Sequence, residues 1–350
     1  MSKKLLSCVL FVCCMLSGCA SARELSQRVI VNALAVDKSG EEYVLTAGWL
    51  TSAQTQDVGF ETGFFEGRGE TLPDAAQALR DEAQRSLFFG HNATVVLGGT
   101  IRGDLDPVLR FLTASEDVRV NAAIYLFDGN AGELLRTKTD ARSFGDAVEA
   151  LRTQGAAQND VEAQLYDIAN GAFGAGAIGY LPVLERSPLE TSAAQEETLH
   201  KLNCTSVVVV CGGRVASTLS EEQTQGLLLL ENKAAQLRLE TESCEAFLLE
   251  EPRCSLCVEG TAEAPRVVIR FFGQVRGIYK KDISVEAAEA AIKKILAAAY
   301  SGCVGCAGVD FFALSEIAEN ALDGRAAERL RADAAAMPAR AEIYTEIHGS

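Results

Sequence analysis

The run from Leu5 to Leu16 is the longest apolar stretch near the start of the chain, and it stops at 12 residues. A helix needs about 20 to span a bilayer. Lys3 and Lys4 precede the run and Leu16-Ser17-Gly18-Cys19 closes it. A basic start, a short apolar segment and small residues before a cut describe a signal peptide. A large aliphatic residue, two small ones and a cysteine form the lipobox pattern. Cleavage is therefore expected before Cys19, with a covalent diacylglycerol and a fatty acyl chain such as palmitate on that residue. At ~0.8 kcal/mol per buried methylene, such a pair of signals anchors where one chain would not. An ordinary signal peptide with an incidental Cys19, or a buried apolar helix, accounts for fewer of these features. The constraint on folding is direct: everything after Cys19 is expected to fold in water, outside the cytoplasmic membrane and tethered to it.

Without residues 1–18 the chain keeps 332 of its 350 residues, enough for two or three domains. Losing the two leader lysines takes the formal net charge from −16 to −18. Such a surface repels phosphate backbones and anionic headgroups, which argues against nucleic-acid partners. Past the leader no run approaches spanning length. Val207–Val210 and Leu227–Leu230 are four residues each and read as core strand and core helix. Of 11 cysteines, Cys8, Cys13 and Cys14 leave with the leader and Cys19 takes lipid. The seven that remain are Cys204, Cys211, Cys244, Cys254, Cys257, Cys303 and Cys306. That odd number excludes a complete disulfide framework within one chain.

Along the chain, Arg28–Asp37 and Tyr43–Thr51 are β-rich runs joined by Lys38-Ser39-Gly40-Glu41, a hairpin. A third strand ends at Gly67-Arg68-Gly69. Thr71 then caps a helix over 73–86, with proline in its first turn. Leu87-Phe88-Phe89-Gly90-His91 leads into a buried strand, Thr94–Leu97. Asp104 begins a short helix and Asn121–Phe127 is the next strand. Residues 130–190 read as helical with glycine interruptions before Pro182. The aperiodic polar stretch Ser187–Leu202 marks a boundary. Thr205–Arg214 is a β-branched strand, and Ser220 opens a helix to about Asn232. Gln236–Glu240, Ala246–Glu251 and Arg266–Arg276 read as antiparallel strands. Ser284 caps a helix from Val285, Asp310 begins another, and Ala339–Ile347 alternates as a last strand. Helix and strand segregate by region, so the expected class is α+β: mixed and antiparallel sheets with packed helices. The expected layout is a signal peptide over 1–18, a region over 19–190 of one or two subdomains, and an α+β domain over 203–350.

This order, with particular residues at its joints, resembles the Ger(x)C family, the lipoprotein C subunits of spore germinant receptors. Arg23-Glu24-Leu25 and then Val31 to Asp37-Lys38 are similar to that family's opening strand. Leu87-Phe88-Phe89-Gly90-His91, with Val95-Val96-Leu97-Gly98 behind it, is similar to its Phe-Gly-His joint. Asp117-Val118-Arg119-Val120-Asn121-Ala122 matches the entry into its next strand. Leu219-Ser220-Glu221-Glu222 through Gly226-Leu227, and Val309-Asp310-Phe311-Phe312, resemble its C-terminal domain. Many members carry tryptophan where this chain has Ala20. The resemblance implies a lipid-anchored, non-enzymatic subunit on the outer face of the spore inner membrane. It would assemble with an integral-membrane A-type, transporter-like subunit and a B-type membrane subunit, and would serve germination signalling. Ligand recognition would lie in the transporter-like subunit, and no small-molecule ligand is assigned to this chain. Phe88, Phe89, Gly90 and His91 are the interface candidates.

Other chemistries are weaker. Cys254-x-x-Cys257 and Cys303-x-x-Cys306 have the local spacing of zinc knuckles. Yet positions three apart on a strand face opposite ways, and small core residues suit the same pattern. Gly171-x-x-Gly174-x-Gly176 lacks the preceding strand that a phosphate loop needs and reads as an interdomain turn. His91 could serve as a base, but beside Phe88 and Phe89 it reads as a packed or capping residue. Glu221-Glu222 and Glu250-Glu251 read as solvated faces, and Trp49, the sole tryptophan, as core or interface. The rival functions are a solute-binding envelope lipoprotein, which would repeat βαβ units in two lobes, and a zinc-containing envelope protein. No catalytic constellation is present in the sequence.

Overall fold

The computed structural model describes residues 28–52, 60–155, 161, 163–173, 178–189, 198–234, 236–243, 245–278, 284–306, 309–332 and 341–349. β1 (Arg28–Ser39) and β2 (Glu42–Ser52) form the expected hairpin, with Gly40 at φ +63 in the turn. That left-handed conformation suits glycine. β3 (Phe60–Gly69) pairs antiparallel with β2. α1 (Leu72–Ala83) folds back onto it, its start capped by the Thr71 hydroxyl, which accepts from the Asp74 N–H at 3.3 Å. The helix lies so near β3 that a Cβ on Gly67 would stand 2.2 Å from the Ala75 carbonyl oxygen.

The middle of this sheet is parallel. β4 (Ser86–Phe88) and β5 (Thr94–Gly98) pair with β1, β6 (Ala123–Phe127) with β5, and β7 (Ile178–Pro188) with β6. β5 is buried along its whole length, which requires cover on both faces. α2 (Leu105–Ala114), α3 (Ala131–Leu135), α4 (Phe144–Gly155) and α5 (Leu165–Phe173) supply it, with α1. Val95 and Leu97 pack with Leu79, Leu109 and Ile168 on one side. Val96 packs with Leu134 and Val148 on the other. These helix-linked parallel strands are an α/β element within the α+β fold that regional segregation does not predict.

Residues 178–188 are a second departure: the sequence reading makes them helical and turn-like, and they form β7. Tyr180, Leu181, Val183 and Leu184 are all buried there. Pro182 is tolerated because β6 pairs with β7 only at Val183 and Leu184, just beyond it. Of the glycines in the expected turn, Gly171 falls in α5 and Gly179 in β7, while Gly174 and Gly176 lie outside the described residues. β8 (His200–Cys211) pairs antiparallel with β7, and β9 (Arg214–Leu219) with β8. Gly212 and Gly213, at φ +56 and +72, turn between them, so the expected strand to Arg214 is split. The sheet order is β3-β2-β1-β5-β6-β7-β8-β9 with β4 beside β1. The sheet thus crosses the polar stretch at 187–202, and residues 203–219 are strands of this first sheet.

Beyond it, α6 (Glu221–Leu230) opens with a reciprocal capping box between Ser220 and Gln223. β10 (Gln236–Glu240), β11 (Ala246–Thr261) and β12 (Ala264–Gly277) are antiparallel as expected. α7 (Val285–Tyr300) is capped by Ser284 at 3.2 Å and runs into a π turn, Ser301–Cys306. α8 (Leu314–Ala321) and α9 (Gly324–Ala332) precede β13 (Ala341–Gly349), which pairs parallel with β12. Asp310 does not begin α8. It stands before it and caps it from a distance, accepting from the Leu314 and Ser315 N–H groups at 2.6 and 2.8 Å. α6 and α7 cover one face of the second sheet, with Leu227, Ile292 and Leu296 against Phe247, Ile269 and Phe271. The opposite face carries Arg266, Arg270 and Arg276, paired with Glu342, Glu259 and Glu250.

β8 belongs to two cores at once. Val208 and Val210 pack in the first, Val207 and Val209 in the second. Val209→Ala should cost about 1.5–3 kcal/mol through lost burial and the cavity left behind. Urea unfolding followed at Trp49, in the first sheet, and by far-ultraviolet circular dichroism should shift together; an unmoved Trp49 midpoint would show that the halves unfold separately.

Candidate functional site

Asp37 organises one end of the first sheet. It is 2 % exposed, at the close of β1. Its carboxylate accepts from the Ala131 and Gly132 N–H groups, each at 2.8 Å, in the first turn of α3. Asn130 caps the same turn through the Glu133 N–H at 2.7 Å. A Cβ on Gly98 would stand 1.9 Å from the Asp37 carboxylate, so glycine ends β5 where the carboxylate needs room. Two segments singled out in the sequence, Asp37-Lys38 and Val95–Gly98, thus meet. Burial raises the Asp37 pKa above its ordinary 3.8, opposed by the two N–H bonds and reinforced by Glu133 and Glu66. The sign follows: the folded state holds the proton more tightly, so stability from this group falls as pH rises from about 3.8 through the raised value. Relative to Asp37→Asn, the wild type should lose stability over that window. Denaturant midpoints of both proteins across it check this, and a difference growing in favour of wild type with pH would contradict it.

The Phe88–His91 joint lies beside the start of β1, with Phe88 opposite Ile30. Phe89 is buried in the first core and the Asn92 N–H closes the turn on its carbonyl at 2.8 Å. Gly90 gives way to the Phe88 ring, which a Cβ there would meet at 2.5 Å. His91 is exposed, edge-on to Phe88 with ring centroids 5.8 Å apart. One of the four residues is therefore core, and Phe88 and His91 present an aromatic edge.

Cys19 and Cys244 lie outside the described residues, as does the side chain of Cys306. Cys254 is buried on the helix-covered face of β11, and burial pushes its thiol up to about 12. Cys257 faces the other side, donating toward the Val268 carbonyl at 3.6 Å and accepting from the Arg270 guanidinium at 3.0 Å. The strand separates these two thiols. Cys303 is buried in the π turn within the second core. Among the described residues no three His, Cys, Asp or Glu side chains gather in a metal-sized group.

The sequence reading missed a cavity of about 260 Å³ between β2–β3 and the segment joining α3 to α4. Trp49, Phe64 and Phe144 line it together with Arg136, Lys138 and Arg142. Trp49 borders the cavity through its backbone, for its indole lies on the α1 face of the sheet, over Gly63, where a Cβ would meet the ring at 2.5 Å, and stacks on Phe65 at 5.5 Å. The Arg136 guanidinium donates to the Gly132 carbonyl at 3.1 Å, pairs with Glu66 at 3.0 Å and covers the Phe64 ring at 5.5 Å. Its signal in the sequence is faint: three cations within seven residues of an acidic chain, in a stretch without strand periodicity.

Comparison with known proteins places these features. Residues 21–186 match the family described as the spore germination protein N-terminal domain. Over 248 residues the chain is 24% identical to YfkR of Bacillus subtilis (strain 168), named as a spore germination protein. That alignment covers 67% of this chain and 63% of the relative, so the chain spans under two thirds of the relative's length. In fold it is similar to the crystal structure of the GerBC protein, with a TM-score of 0.52 at 11% identity, covering 91% of this chain and 96% of that one.

Proposed function

For a chain that belongs to the Ger(x)C family of spore germination proteins, we propose the role of C subunit in a spore nutrient germinant receptor. The observation that carries this reading is the match of residues 21–186 to the germination-protein domain. The similarity of fold to GerBC over 91% of the chain is consistent with it. In this reading the subunit is not an enzyme and acts by assembly. Lipid at Cys19 confines it to the outer face of the spore inner membrane, which raises its effective concentration beside integral-membrane A-type and B-type subunits. Its domains dock on them and help to pass on the nutrient signal, with the Phe88–His91 edge as one contact. Among the described residues no helix is long and apolar enough to cross a membrane. A chain of net charge −16 also has little electrostatic affinity for anionic lipid. Attachment in this reading is the work of the acyl chains.

Cys19→Ala should abolish labelling by palmitate, move the protein from the membrane to the soluble fraction, and weaken nutrient-triggered germination while the domains stay folded. Deletion of the gene should do the same to germination. Cell fractionation and germination assays check both. Membrane attachment of unlipidated Cys19→Ala protein would refute the anchor, and normal germination of the deletion strain with every nutrient, in a strain without a redundant receptor, would refute the function.

A further inference from the structure

We propose that the outer edge of β13 is a docking surface for a second copy of this chain, the two β13 strands pairing antiparallel about a twofold axis at Thr345. The inference stands apart from the receptor assignment and rests on this strand alone. β13 is nine residues long and ends the second sheet, paired parallel with β12 on one side. Among the described residues no strand pairs with its other side. Such an edge offers free N–H and C=O groups to another chain unless it is short, bears lysine or proline, or is covered. The other sheet ends meet those conditions. β9 and β10 have six and five residues, and on β3 the Glu82 carboxylate accepts from the Glu66 N–H. β13 has neither lysine nor proline and keeps an unbroken register with β12.

The sequence of the strand fits itself. Outward from Thr345 in both directions, Tyr344 falls opposite Glu346 of the second copy, Ile343 opposite Ile347, Glu342 opposite His348 and Ala341 opposite Gly349. Each of these pairs occurs twice, as a self-complementary contact requires. A twofold axis normal to the sheet keeps each face on its own side. The isoleucines therefore meet on the face that packs against the second core, where Ile347 is buried and Ile343 half-buried. Glu342 and His348 meet on the open face, where an imidazole N–H can donate to a carboxylate in either protonation state. Apolar and acid–base pairs directly opposite one another are the contacts that stabilise an antiparallel ladder.

Thr345 marks the axis. Its hydroxyl is shielded from solvent and has no hydrogen-bond partner among the described residues. Opposite residues of an antiparallel pair hold their Cβ atoms ~4.5–5.5 Å apart, a spacing at which threonines bond one another. Two copies of Thr345 thus satisfy each other, one hydroxyl donating and the other accepting. Charge permits the approach. Two chains of net charge −16 repel as wholes. Here, though, Arg266 pairs with Glu342 at 2.8 Å and the His348 Nε2 lies 3.5 Å from Glu346, so the edge presents no row of unmatched acid. Tyr344, 56 % exposed, gains cover from the second copy. One ladder is a small interface, which makes the dimer a weak one in free solution.

The full-length chain, purified in mild detergent with micelles in excess over protein, would be followed by sedimentation equilibrium over a wide range of concentration, with hydrogen exchange read at residues 341–349. A reversible monomer–dimer equilibrium is expected, with the β13 amides better protected as the dimer fills. His348→Glu sets an acid opposite Glu342 and should weaken association about tenfold; adding Glu342→Lys should restore it. Gln236→Glu, which adds the same charge on β10, should leave it unchanged. His348 and Gln236 are exposed, and circular dichroism checks that the variants fold. A monomer at every concentration, a dimer whose β13 amides stay unprotected, or full association in His348→Glu would overturn the proposal.

Discussion

The burial of both faces of β8 is the constraint on which the two halves of the molecule depend. A strand at the margin of one sheet ordinarily presents one face to a core and the other to water. Here the alternation along Val207–Val210 sends Val208 and Val210 into the first core and Val207 and Val209 into the second. Each buried valine contributes about 1.5–3 kcal/mol, and a polar group put in its place on either side would lie in a core without a partner. Tyr180 on β7 and Leu219 on β9 extend the same contact into the second core. β7 and β8, on either side of the polar stretch at 187–202, are thus neighbours in one sheet.

A second constraint lies at the other flank, at Asp37. A buried carboxylate costs several kcal/mol unless its oxygens find donors, and the first turn of α3 supplies two. That bond fixes where α3 starts, and the helix is only five residues long. Its end is then fixed too: Arg136, at the C-cap, reaches back to the Gly132 carbonyl and across to Glu66. The basic wall of the cavity is in this sense a consequence of Asp37. The chain from Asp37 through Gly132 to Arg136 ties a core polar group to a concave surface by three hydrogen bonds.

What could be read from the residues were the features that local chemistry settles. The β1–β2 hairpin, the caps at Thr71, Ser220 and Ser284, and the alternation of Arg266–Arg276 all carry their own signal within a few positions. β7 did not, because glycines and Pro182 break the pattern and only pairing with β6 and β8 makes it a strand. The parallel pairing of β1 with β5 joins residues about sixty apart, and no local pattern encodes it. The cavity was hidden for the same reason: Phe64 and Lys138, which both line it, are 74 positions apart in the sequence. Of the sequence-designated cysteines, Cys254 and Cys257 were legible, since strand periodicity alone sets them on opposite faces.

The position of the tether gives these parts a mechanical order. Cys19 lies nine residues before Arg28, and a fully extended chain covers at most about 3.6 Å per residue. A lipid on Cys19, as proposed, would hold the start of β1 within about 32 Å of the bilayer. β1 is an interior strand, flanked by β2 on one side and by β4 and β5 on the other. A pull on its N-terminus is borne in shear by whole ladders of hydrogen bonds, not peeled one at a time from an edge. The same placement keeps the first sheet, with the Phe88–His91 edge beside the start of β1, nearer the membrane than a free domain would be, whereas the second sheet is reached through β8 and its neighbours Tyr180 and Leu219. In that arrangement β8, with Tyr180 and Leu219 beside it, would transmit any displacement between a membrane partner at the first sheet and one at the second.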